Sequence, residues 1–420
     1  MGKTVIEKIF AAHSGDDIVP GNVIWLDIDV RSARDFGGAN VVAHLRREYA
    51  HEKKLDNPEK TFFTFDCVSP ANTIPYAENQ QIIRTFAIEQ GARLYDVGHG
   101  IGTHILIENG HIRPGMTAVG TDSHFNILGA VGAFGQGMGD RDIAFAFKTG
   151  KVWFEVPSSV RVNLSGMPAH SEVGAKDIAL ELLRRFGASS LLGRVVELYG
   201  EWVESATLDE RITVASMGTE MGLISIIIPP NGALLDELRQ WVPVGEVGTS
   251  SIKLDDPIYR ADPDCNYESE ITIDISALEP LIAAPFEPHN VHPRADFAGK
   301  KVDSVFVGSC TGGRISDLRA LAEKIETGIA PNLILRVVPA TKRTLELAVD
   351  EGVYRKLFDS GAVVSHAACG GCASGQIGMT GSGEVQVSTG NRNFKGKQGA
   401  GETFLASALT AGEVASKGTL

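Results

Sequence analysis

Val302-Asp303-Ser304-Val305-Phe306-Val307, followed by Gly308-Ser309-Cys310-Thr311-Gly312-Gly313, is the stretch on which the fold of this chain turns. The apolar, β-branched run has the length of a buried strand, and the glycines after it mark a turn. Residues 316–326 then repeat apolar side chains every three or four positions with polar ones between, as an amphipathic helix does, and 333–338 is a second strand-length apolar run. Strand, helix and strand in this order predict a parallel pair joined by a crossover. Functional loops in such units lie at the strand's carboxyl end, which is where Cys310 falls.

The alternation continues outward. Residues 23–28, 62–65, 117–120, 160–164 and 224–228 read as strands, and 178–186, 235–242 and 341–351 as helices, so the chain is expected to be an α/β protein. A length of 420 residues, 43% of them hydrophobic, allows two or three domains. The proline-rich, aperiodic stretch after residue 285 predicts a linker at 286–298 between two intertwined α/β domains over 1–285 and a third over 299–420.

Thirty-nine basic residues against 52 acidic ones give a net charge of −13, which repels a phosphate backbone and argues against nucleic acid as a partner. The first ten residues place Lys3, Glu7 and Lys8 among apolar positions, and no later apolar run reaches membrane length, so a cytoplasmic protein is expected without a membrane partner. Five cysteines (Cys67, Cys265, Cys310, Cys369, Cys372) do not form a secreted disulfide framework and point to metal or redox chemistry. Cys369-Gly370-Gly371-Cys372 is a Cys-x-x-Cys loop whose glycines let both sulfurs face one point. Taken alone it fits a redox dithiol, half of a zinc site completed by His366, or, with Cys310, three ligands of a 4Fe-4S cluster. Spacing leaves these readings open. Gly135-Gln136-Gly137-Met138-Gly139 imitates a dinucleotide fingerprint but lacks a strand directly before it and a suitably placed acidic residue after it.

Longer stretches narrow the choice. Residues 307–318 around Cys310 resemble the first cluster-ligand motif of the aconitase superfamily, and Cys369-Gly370-Gly371-Cys372 resembles the second. Ser388-Thr389-Gly390-Asn391-Arg392-Asn393-Phe394-Lys395-Gly396-Lys397 is similar to the family's substrate-carboxylate loop, and Gly120-Thr121-Asp122-Ser123-His124 to its central active-site motif. With Gly100-Ile101-Gly102-Thr103-His104, Ala175-Lys176-Asp177-Ile178 and Met217-Gly218-Thr219-Glu220 they stand in family order over nearly the whole chain. The nearest resemblance is to large subunits of the 3-isopropylmalate dehydratase and homoaconitase type.

That resemblance implies an aconitase-like fold of three α/β domains around a central cluster cleft, with the swivelling fourth domain and its serine base on a separate small subunit. It implies a 4Fe-4S cluster on Cys310, Cys369 and Cys372 and reversible dehydration of a small hydroxy di- or tricarboxylic acid. Asp66, Cys67, His104, Asp122, His124 and Glu220 would then serve proton transfer, and Ser123, Asn391, Arg392 and Lys397 substrate binding. An expectation of another class, a non-catalytic aconitase-like RNA-binding regulator, has the negative charge against it.

Four positions depart from the family pattern. Cys67, in Asp66-Cys67-Val68-Ser69-Pro70, stands where a histidine is expected; Ser216 replaces an asparagine, Lys397 a second carboxylate-binding arginine, and Thr311-Gly312 the usual Thr-Asn. A thiol with an ordinary pKa of about 8.5 lacks imidazole's match to neutral pH, and an ammonium lacks the planar fork of a guanidinium. With all three cluster cysteines retained, these changes predict an altered substrate, such as a smaller substituted malate. Cys265 matches no cluster position and is assigned a structural role.

Overall fold

The computed structural model describes residues 2–49, 54–241, 256–373 and 375–420. Its first sheet has five parallel strands in the order Arg93–Tyr95, Thr61–Thr64, Val30–Arg34, Thr117–Gly120, Phe134–Gly137. The chain lays strands to one side of Val30–Arg34 and then to the other, so the order reverses between Val30–Arg34 and Thr117–Gly120. A reversal of this kind opens a crevice at the carboxyl ends of the two strands. The second sheet repeats the scheme with four parallel strands, ordered Ser225–Ile227, Val195–Gly200, Ser159–Ser165, Ser269–Asp274.

The third sheet has seven strands: Val291–Pro293, Leu281–Ala283, Glu402–Leu405, Val385–Ser388, Ser304–Val307, Ile334–Val337 and Val363–Val364. The last five are parallel, and the first two form an antiparallel hairpin along one edge. The strand–helix–strand unit is present, with helix Ile315–Lys324 between Ser304–Val307 and Ile334–Val337 and Val307 opposite Val337. Here the order reverses between Ser304–Val307 and Val385–Ser388, which carry Cys310 and the Asn391–Arg392 loop just past their carboxyl ends.

The anticipated helices are observed at Ala175–Phe186, Gly232–Trp241 and Lys342–Asp350; Val242 lies outside the described residues. Residues 23–28 do supply a strand, Val23–Asp27, but it pairs antiparallel with Lys151–Glu155 in a separate two-stranded ribbon. Residues 286–298, expected as a linker, hold the strand Val291–Pro293 and the short turn Arg294–Phe297. An edge strand tolerates the proline that made this stretch read as a loop. Among the described residues no helix is long and apolar enough to cross a membrane.

The largest apolar cluster joins residues of all three large sheets, among them Ala118, Val162 and Leu405. Phe63 anchors one core, with Phe147 and Phe86 meeting it edge-on at 5.6 and 6.0 Å. Helix Val5–Ala12 starts with a reciprocal Thr4/Glu7 cap, and the buried Glu197 carboxylate of the second sheet accepts from its Val5 and Ile6 N–H groups at 2.7 and 3.3 Å.

The glycine run 135–139 also finds its reason. Phe134–Gly137 is itself a strand, lying so close to the turn after Thr117–Gly120 that a Cβ on Gly137 would stand 2.3 Å from the Asp122 carbonyl oxygen. The glycines here make room for the Asp122–His124 turn. Gly137→Ala should therefore push that turn out of place and cost about 1–3 kcal/mol of stability. Urea unfolding measures the loss; an unchanged midpoint would mean that the turn yields freely.

Candidate active site

Cys310 is the second residue of the short helical turn Ser309–Gly312, past the carboxyl end of its strand. Two contacts hold the turn against the third sheet. Gly308 N–H donates to Thr389 Oγ1 at 2.9 Å, and the Thr389 hydroxyl reaches the carbonyls of Gly308 and Gly312 at 3.0 and 3.2 Å. A Cβ on Gly312 would lie 2.3 Å from that of Thr389, so this turn packs against Thr389 more closely than a side chain at 312 would allow. Just beyond, buried Arg314 donates to Glu108 at 2.6 Å and Asp209 at 2.7 Å, tying the turn to helices Gly102–Glu108 and Leu208–Ser216. Ser216 turns its hydroxyl to Thr213 O (2.7 Å) and Thr311 Oγ1 (3.2 Å), so it braces the Cys310 turn. The Cys310 thiol donates to Asn391 Oδ1 at 3.2 Å.

Cys369 precedes the short turn Gly370–Cys372 and Cys372 ends it, and the Cys369 N–H donates to Asp66 O at 2.9 Å, joining the two crevices through backbone. Cys67 lies beside Cys369, with which it shares a hydrogen bond. That bond, followed by burial, pushes the Cys67 thiol well up. Asp35 fixes the segment, accepting from the N–H groups of Asp66, Cys67 and Val68 at 3.2, 2.9 and 2.8 Å.

The first sheet's crevice supplies acid and imidazole. His124 Nε2 lies 3.0 Å from Glu220 Oε1, and since a carboxylate only accepts, Nε2 carries the hydrogen and leaves Nδ1 towards Asp122, 4.0 Å away. Arg392 Nε donates to the same Glu220 oxygen at 2.7 Å, and its Nη1 reaches Ser123 Oγ at 3.2 Å. Burial opposes ionisation of Asp122, but Arg34 and His124 outweigh it and hold this carboxyl below its usual range. At Asp66 burial wins over Arg34, aided by Asp35 and Asp122, and the pKa rises to about 6. Burial, then Arg314, drives His104 down to about 3; burial, then Arg93, takes His111 to about 4. Below pH 6.5 the unfolded chain protonates these two imidazoles while the folded chain does not, so their contribution to stability falls as pH drops from 6.5 towards 4, opposite in sign to that of Asp66. His111→Gln should flatten that fall in melts compared at pH 7 and pH 5; an unaltered slope would show that His111 does not contribute to it.

These loops enclose a cavity of about 410 Å³. Of the residues expected from the sequence, Cys67, Asp122, Ser123, His124, Cys310, Cys369, Cys372, Arg392 and Lys397 line it. Asp66, His104, Glu220 and Asn391 sit behind the wall, each bonded to or packed against a lining residue. Sequence reasoning missed Arg34, Phe36 and Tyr76, which also line the cavity; Lys176, part of a quoted motif but given no role, is buried with its ammonium donating to Gly390 O at 2.8 Å. Arg34 ends a strand at the point where the sheet order reverses, a signal visible only once the topology is known.

The donor set limits the group it can hold. Burial pushes the Cys310 and Cys372 thiols up, and each is raised further by the neighbouring cysteines, so three thiolates here call for a cation among them. Among the described residues, the three sulfurs do not all lie within 4.8 Å of one another, wider than the spread of ligands around one small ion. His366 uses Nε2 on the Ser69 carbonyl and Nδ1 on Ser365 Oγ, which counts against its use as a fourth zinc ligand. Three spaced thiols around a shared cavity fit a larger polynuclear group.

Comparison with known proteins follows the same line. The structure matches that of aconitase X from Thermococcus kodakaraensis with a TM-score of 0.51 at 12% identity, over 99% of this chain and 92% of the other, a likeness of fold. The sequence pattern of the aconitase family (aconitate hydratase) matches residues 7–299 and 290–418. The chain is 38% identical to the 3-isopropylmalate dehydratase large subunit 1 of Methanopyrus kandleri, covering all of this chain and 98% of that one. It is 39% identical to the homoaconitase large subunit of Thermus thermophilus, over 100% and 97% of the two chains. The full-length likeness to a dehydratase and a homoaconitase defines an aconitase-type hydro-lyase, built on parallel α/β sheets. The chain belongs to the aconitase family.

Proposed function

We propose that this chain is the large subunit of an iron–sulfur hydro-lyase that reversibly removes and re-adds water on a hydroxy di- or tricarboxylic acid of the isopropylmalate or homocitrate kind. The observation that carries the reading is the convergence on one cavity of three thiols, the Asp122–His124 pair, and the cations Arg392 and Lys397. The chemistry supplied by a 4Fe-4S cluster held on Cys310, Cys369 and Cys372 is Lewis acidity toward the substrate's hydroxyl and one carboxylate.

The chain's own residues do the remaining work on this side. Arg392 presents its guanidinium to a carboxylate while Glu220 and Ser123 fix its orientation. Lys397 serves as a second, point-like cation. His124, oriented by Glu220, and Asp122, braced by Arg34, pass a proton to and from the departing or attacking oxygen. Phe36, Val68 and Tyr76 give the cavity an apolar wall, in which Val68 is buried and Phe36 exposed. The base for the carbon-bound proton is assigned to a separate small subunit, a reading supported by relatives that bear the name of large subunits.

A second reading within the family is favoured by Lys397 and by that apolar wall: the substrate is a smaller substituted malate with two carboxylates and a short alkyl group. Co-purification with the small subunit and a panel of hydroxy diacids and triacids, followed by the appearance of the unsaturated acid, tests both. Turnover of any member supports the hydro-lyase; the best rate on isopropylmalate or homocitrate would remove the smaller-substrate reading, and no turnover by a cluster-loaded complex would remove the first.

A further inference from the structure

We propose that Arg34 is a positioning residue that fixes the Cys369 sulfur and, through an N–H···S hydrogen bond, sets the reduction potential and retention of the cluster; this rests on the cluster assignment above. Arg34 is the last residue of the strand Val30–Arg34, at the mouth of the first crevice, and its side chain lines the cavity. Its fork reaches three acceptors at once. Nε donates to Asp66 Oδ1 at 2.8 Å, Nη1 pairs with Asp122 Oδ1 at 2.8 Å, and Nη2 donates to Cys369 Sγ at 2.7 Å.

The two carboxylates are themselves held. Asp66 takes the Gly102 N–H at 2.8 Å on its other oxygen, and Asp122 takes the His124 N–H at 3.0 Å. The guanidinium therefore has no freedom to rotate away from the sulfur. Its side chain is only 14% exposed, so charge and hydrogen bond act where water screens them little. The same Asp66 that grips Arg34 also accepts the Cys369 N–H, so backbone and side chain of Cys369 are aimed from one residue. Cys310, by contrast, donates to the side-chain amide oxygen of Asn391. The arrangement is lopsided, with the cationic donor on the Cys369 corner.

A donor to a ligating sulfur and a nearby positive charge both favour the more negative, reduced state of a cluster. Removing them makes reduction harder and loosens the ligand. A lysine keeps the charge but offers no fork that spans three acceptors.

The full chain as wild type, R34K and R34Q, reconstituted anaerobically with iron and sulfide, gives the test. The readouts are iron and sulfide content, the midpoint potential by an EPR-monitored titration, and the rate of iron loss to a chelator. The midpoint of R34Q should move to more negative potential with R34K between it and wild type, and iron should leave R34Q about 10–100-fold faster. Coincident midpoints and equal loss rates at comparable cluster content would overturn the proposal. If R34Q does not fold, R34K decides by the same two readouts. Wild type that takes up no cluster would instead sink the functional reading on which the proposal rests.

Discussion

A Cys310→Ala variant, loaded anaerobically with iron and sulfide beside wild type, will lack the visible absorbance of the cluster and lose dehydratase activity by at least about 10³-fold, since a Lewis acid at the reacting hydroxyl contributes several kcal/mol. The substitution removes one of three sulfurs facing a common cavity and leaves a pair at Cys369 and Cys372. Cys67 does not replace it, because its thiol is engaged with Cys369 and its segment is held by Asp35. The fold should survive: the turn is held by Thr389, and Arg314 by Glu108 and Asp209, none of which involves the thiol. Iron analysis together with circular dichroism separates loss of the cluster from loss of structure. A variant with wild-type iron content and full activity would remove Cys310 from the ligand set.

Glu220→Gln should lower kcat by about 10²–10⁴-fold, the usual contribution of a positioned acid–base group. Glu220 is buried, and one of its oxygens serves both His124 Nε2 and Arg392 Nε. Burial opposes its ionisation, but His124 and Arg392 overcome that and hold its carboxyl below the ordinary range, so it is charged throughout the working pH range. An amide of the same shape keeps one acceptor and adds a donor, which sets the imidazole and guanidinium in competition for the remaining oxygen. The His124 ring would lose its fixed tautomer and Arg392 its aim, so KM should rise as kcat falls. Steady-state kinetics of the loaded complex measure both. A change confined to KM would assign Glu220 to substrate binding through Arg392 alone.

The three-sulfur set was legible because each part is local: a glycine-flanked cysteine after a strand and a Cys-x-x-Cys loop, both inside stretches that resemble a family. The strand–helix–strand unit around Ser304–Val307 was legible for the same reason, as an uninterrupted apolar run before an amphipathic helix. Val30–Arg34 was not. Its sequence Val-Arg-Ser-Ala-Arg has two apolar residues in five, since Arg31 is buried against the Ile28 carbonyl and Asp56, and Arg34 points into the site. A central strand that spends its positions on buried polar contacts carries neither a run nor an alternation. The same shortage hid Phe134–Gly137, whose glycines answer to a close neighbour turn and not to a bound nucleotide. The proline-containing edge strand Val291–Pro293 reads as a loop because its pairing is three residues long.

Distance in sequence hid the rest of the site. Arg34 and Cys369 are 335 positions apart, and Lys176 and Gly390 are 214 apart. Nothing in the residues near Arg34 announces a thiol partner; the contact exists because two sheets that each reverse their strand order set their crevices against one cavity. The family resemblance placed Asp66, His104, Glu220 and Asn391 among the functional residues, and the structure adds which of them stand behind the wall and what each one braces.

The measurement that bears most directly on this account is an anaerobic Mössbauer spectrum of the reconstituted protein, taken with and without a substituted malate. Three thiolates and one iron without a protein ligand predict a single distinguishable iron whose spectrum shifts when the hydroxy acid is added, while the other three stay in place. Four equivalent irons that ignore the acid, or a protein that holds no iron, would contradict it.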